Sequence, residues 1–126
     1  MKEDFVSFEL AKKLQEKGYP QHHSAFRSYF IGDDIPRIAE VGDVIYRTKI
    51  EGEEHLIACP TISQVLKWLR ENYSIHIEIR LFVKAFGFDI LEIHSKKKLA
   101  WSGVREFDSY EQAAIACIEY VLDNLI

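Results

Sequence analysis

Only two cysteines, three prolines and six glycines occur among the 126 residues of this chain. Two cysteines exclude the disulfide framework of a small secreted scaffold. Both Cys59 and Cys117 stand among apolar neighbours, as buried thiols do, and a reducing cytoplasm is the expected location. The scarcity of Gly and Pro, beside 13% aromatic residues, excludes low-complexity and collagen-like chains. No apolar run approaches the roughly 20 residues that a membrane-spanning helix needs, so no membrane partner is expected. Met1-Lys2-Glu3-Asp4 leads into no apolar segment, and a secretory signal is not expected either. Charge of one sign is also lacking: 16 basic residues face 20 acidic ones, net −4. Such a chain has no broad positive field of the kind that non-specific nucleic-acid binding needs. What remains is ordinary: 48% hydrophobic and 29% charged residues, in a length that fits one domain, 1–126.

Capping residues and periodicity divide the chain. Ser7 opens a helix whose Leu10, Ala11 and Leu14 make an apolar stripe, and Gly18 followed by Pro20 ends it. From 21 to 41 the pattern reads as loop with a strand fragment at Ser28-Tyr29-Phe30-Ile31. A hairpin follows: a strand over 43–49, a turn at Glu51-Gly52-Glu53, and a return over 54–59 stopped by Pro60. Thr61-Ile62-Ser63-Gln64 reads as a capping box. It leads a helix with Ile62, Val65, Leu66, Leu69 and Tyr73 on one face.

Ile75, Ile77, Ile79, Leu81 and Val83 then alternate with His76, Glu78, Arg80, Phe82 and Lys84, which predicts a strand with its odd positions in the core. Gly87 is expected to mark the turn into a second strand over 88–93. His94-Ser95-Lys96-Lys97 turns toward a third over 98–102. Asp108 or Ser109 caps a last helix carrying Ala114, Cys117, Ile118, Val121 and Leu125, broadened by Ile115 and Leu122. The order is helix–hairpin–helix–strand–strand–strand–helix. It predicts a two-layer α+β fold in which helices cover an antiparallel meander.

No catalytic, cofactor or metal site emerges. His22-His23, with His55, His76, His94 and Cys59, lacks the paired spacing of a metal centre. Asp33-Asp34 sits between Gly32 and Pro36 and reads as turn material. Gly-rich phosphate loops and nucleophile elbows are absent. The candidate interaction residues are Phe82 and Arg80 on the polar side of the first meander strand, Trp68 beside its helix stripe, and Lys96, Lys97 and Lys98. Converging aromatics suit a protein partner or a homodimer. The lysine run with Trp101 nearby suits nucleic acid, a reading that the net charge disfavours. An enzyme of unidentified class ranks third.

Segments 60–79 and 110–126, with Lys67-Trp68-Leu69-Arg70-Glu71, Ile75-His76-Ile77 and Tyr110-Glu111-Gln112-Ala113-Ala114, resemble a family of small uncharacterised bacterial and prophage-associated proteins. The likeness covers about half the chain. It implies a mobile-element context and carries no functional residue. The order helix–strand–strand–strand–helix is also similar to that of double-stranded-RNA-binding domains, whose last helix opens with a basic cluster. Here that position is the acidic Asp108-Ser109-Tyr110-Glu111-Gln112.

Overall fold

The computed structural model describes residues 5–21, 28–30, 37–39, 56–81, 83–103 and 106–126. They form two compact units that meet in sequence between Thr61 and Ile62, one of Phe5–Thr61 and one built on Ile62–Ile126.

In the first unit, helix α1 (Phe8–Glu16) begins where Ser7 Oγ accepts a hydrogen bond from Leu10 N, and Leu10, Ala11 and Leu14 are buried. Gly18 follows the helix at φ 90°, a conformation that costs side-chain-bearing residues more than glycine. Three short strands, β1 (Ser28–Phe30), β2 (Arg37–Ala39) and β3 (Leu56–Ala58), make an antiparallel sheet in the order β2-β1-β3. The fragment expected at 28–31 is thus the centre of a sheet. β3, expected to pair in a hairpin, pairs with β1; the proposed outgoing strand at 43–49 lies outside the described residues. Gln21 adds a long-range tie, its Oε1 accepting from Ala58 N at 2.8 Å. Val6 N donates to Pro60 O at 3.0 Å, and Cys59 Sγ donates to Val6 O at 3.6 Å.

The second unit is the expected α+β meander. Helix α2 (Ile62–Tyr73) buries Ile62, Val65 and Leu69. Leu66 is only half-buried, and Tyr73, expected on the core face, is exposed at the helix end. One residue, Ser74 at φ 55°, joins the helix to β4 (Ile75–Leu81). β5 (Phe86–Glu92) lies at the centre of the sheet and β6 (Lys98–Trp101) at its other side, all antiparallel. Helix α3 (Tyr110–Asn124) is capped by Ser109, whose Oγ accepts from Gln112 N, while Gln112 Oε1 accepts from Asp108 N. Ala113, Ala114, Cys117, Ile118, Val121 and Leu122 bury its apolar face, whereas Leu125 and Ile115 are half-buried. Both helices pack on the sheet and on each other, over Ile75, Ile77, Phe88 and Ile90.

Two expectations about the meander are corrected. Leu81 and Val83 are 71% and 97% exposed, so the core face of the first strand ends at Ile79. Alternation predicts which way a side chain points, not whether a helix reaches that far to cover it. Gly87 does not make the turn. It lies inside β5 opposite Arg80, and the connection falls in the residues before Phe86.

Candidate interaction surface

The sheet face away from the two helices is built from alternate positions of three strands. Register places Glu78 opposite Asp89, Asp89 opposite Trp101, His76 opposite Leu91, and Leu91 opposite Lys98. The β5–β6 register shifts between Ile90 and Leu91, so β6 carries one extra residue. That bulge is why Lys98 and Trp101, three apart in sequence, share this face.

Asp89 is its electrostatic centre. It is a buried carboxylate on the middle strand, with Arg80 Nε 2.5 Å from Oδ2 and Lys98 Nζ 3.4 Å from Oδ1. Arg80 also lies 3.7 Å from Glu78. The Arg80 contact lacks hydrogen-bond alignment, which leaves Oδ2 buried with charge partners but no aligned donor. Opposite Arg80, Gly87 has no side chain to stand between the guanidinium and the carboxylate two residues along. Burial, and secondarily the Asp89 charge, push the Cys117 thiol well above its ordinary range. A thiol so protonated is no nucleophile at neutral pH.

Trp101 stands beside these ion pairs and is 58% exposed. At one end of the face lies a groove of about 310 Å³, lined by Arg70, His76, Leu91, Glu92, Ile93 and Lys96. The turn that forms one wall is tightly tied: Glu92 accepts from Ser95 N at 2.6 Å and from Ser95 Oγ at 2.7 Å. Those bonds, backbone first, hold the Glu92 carboxyl below its ordinary value of 4.5. Lys96 then takes φ 59°, and Ser95 Oγ accepts from Lys97 N at 3.2 Å.

The residues singled out in the sequence are therefore divided. Arg80 and Lys98 meet at Asp89. Lys96 and Lys97 are exposed at the turn. Trp68 is half-buried on α2, its ring edge-on to Tyr73 at 5.2 Å. Phe82 lies outside the described residues, as do His22, His23, His55, Asp33 and Asp34. His94 Nε2 is 3.3 Å from Ser74 Oγ. Among the described residues, no three His, Cys, Asp or Glu side chains gather as a metal-binding group, and no helix is long and apolar enough to cross a membrane.

Sequence reasoning missed Asp89 and the groove. The signal for Asp89 was present: it is the single acidic residue in the apolar run Phe88-Asp89-Ile90-Leu91. The groove had no such signal, because Arg70, His76 and Leu91–Lys96 are joined only by the fold. Compared with known proteins, the chain matches no family model, no curated protein and no solved structure.

Proposed function

We propose that this chain is a small non-enzymatic domain that binds another protein, or a second copy of itself, through the face of the β4–β5–β6 sheet that points away from α2 and α3. The observation that carries the reading is Trp101, more than half exposed on a face whose central charges are paired with one another. Large aromatics beside paired charges suit an interface centre, and burying such a ring contributes roughly 1.5–3 kcal/mol. A mobile-element setting is part of this proposal and rests on the sequence resemblance of 60–79 and 110–126 alone; the two buried free cysteines suit a reducing cytoplasm.

Nucleic acid is the second reading, favoured by the exposed Lys96 and Lys97 near Trp101. Against it, Lys98 directs its ammonium to Asp89, and the first turn of α3 carries Glu111 and no basic cluster.

Purification of the tagged chain and its Trp101→Ala variant from the native host tests the proposal. We expect a stoichiometric protein companion, or a dimer in sedimentation, that the variant loses while keeping its melting temperature. Equal recovery with both forms contradicts it. Co-purifying nucleic acid, released by replacing Lys96 and Lys97 with Ser, supports the second reading instead.

A further inference from the structure

The groove at the end of the sheet face away from α2 and α3 has a definite chemistry. Leu91 and Ile93 supply its apolar lining. Arg70 comes from the last turn of α2 and Lys96 from the β5–β6 turn. Three long cations of this unit find carboxylates, Lys67 with Glu71 at 3.8 Å, Arg80 with Glu78 and Asp89, and Lys98 with Asp89, whereas among the described residues Lys84 and Lys97, at exposed positions, do not. Among the described residues, neither Arg70 nor Lys96 has an ion pair. Glu92, the acidic residue among the described lining residues, turns its carboxylate into the Ser95 hydrogen bonds.

Both walls are also held in place. Only Ser74, at φ 55°, separates the end of α2, which carries Arg70, from β4, which carries His76. Lys96 sits at φ 59°, a region costly for a residue with a side chain, on a turn closed by Ser95. Helix-dipole attraction accounts for a cation at Arg70. It does not account for a second one across the groove on a strained turn. In a chain of net charge −4, two unpaired cations beside an apolar lining call for an anionic partner with apolar character.

We propose that this groove seats an extended acidic segment of the partner protein, with one apolar side chain on Leu91 and Ile93 and flanking carboxylates toward Arg70 and Lys96. The proposal deepens the protein-binding reading and rests on it. A groove of about 310 Å³ is at the small end of ligand sites, the size for one side chain and its neighbouring backbone.

The probe is the capped peptide Glu-Glu-Phe-Glu-Glu, titrated into the full 15N-labelled chain. Amide shifts should cluster at His76, Leu91, Ile93 and Lys96. Arg70→Glu combined with Lys96→Glu should weaken binding at least about tenfold with an unchanged circular-dichroism melt, and added salt should weaken it too. Peptides with Ser for Phe, or Lys for every Glu, should not bind. Absence of shifts at these amides, or shifts that survive the charge reversal, overturns the proposal. So does a single-stranded oligonucleotide that shifts the same amides where the peptide does not. A negative peptide result beside a companion still released by Trp101→Ala removes the groove proposal alone. If Trp101→Ala releases nothing, the broader reading of the face falls.

Discussion

Asp89 shows how a single residue couples the inside of this sheet to its surface. Its carboxylate is buried, while Arg80 and Lys98 are each half in water. Removing the carboxylate frees two cations to be solvated, but removing Arg80 leaves a buried anion with Lys98 alone. Breaking a fully buried pair costs about 3–5 kcal/mol, and half-exposure of the cations lowers this here. Arg80→Ala should therefore destabilise by about 1–2 kcal/mol in urea titration, and by more than Asp89→Asn. The opposite ranking would mean that Asp89 is not the group being compensated. Glu92 gives a second residue-scale prediction. The Ser95 bonds lower its folded pKa, so their stabilisation is full above the unfolded value of 4.5 and is lost as pH falls through the folded one. The Ser95 amide resonance should titrate with a midpoint below 4.5; a midpoint at or above 4.5 contradicts the bonded turn.

At the scale of elements, helices were legible and strand limits were not. Ser7 and Ser109 cap as their side chains predict, and Leu10, Ala11 and Leu14 of α1 and Ala114, Cys117, Ile118 and Val121 of α3 are buried as the 3.6-residue period predicts, with Leu125 only half-buried. A helix end is decided locally, by a hydroxyl and a neighbouring N–H. A strand end is decided by partners far away: β4 stops at Leu81 because its pairing with Phe86 stops there. For the same reason Gly87 misled as a turn signal, since its position opposite Arg80 depends on register. The sheet β2-β1-β3 joins segments up to 30 residues apart that carry no mutual pattern. Val121, fully buried in α3, supplies the prediction for this scale. Val121→Asp should abolish soluble folding, because an unpaired buried carboxylate costs several kcal/mol against a total of about 5–15. Soluble protein melting like the parent would mean that α3 does not cover the sheet.

For the whole molecule, the α+β order was readable because period-two and period-3.6 segments alternate along 61–126. The candidate surface was readable only in part. Arg80 and the lysines stood out as charges, but that Lys98 is engaged and Lys96 is not depends on the bulge and the turn. Trp101 became a surface residue only once β6 was placed against β5. The central claim is that this exposed face meets a protein. Its most direct test is photo-crosslinking in the native host, with a benzophenone amino acid in place of Trp101 and, as control, in place of the exposed Lys12 of α1. We predict a discrete covalent protein adduct, or a crosslinked dimer, from position 101 and none from position 12. A crosslink to nucleic acid at position 101, or no adduct there, would contradict the claim.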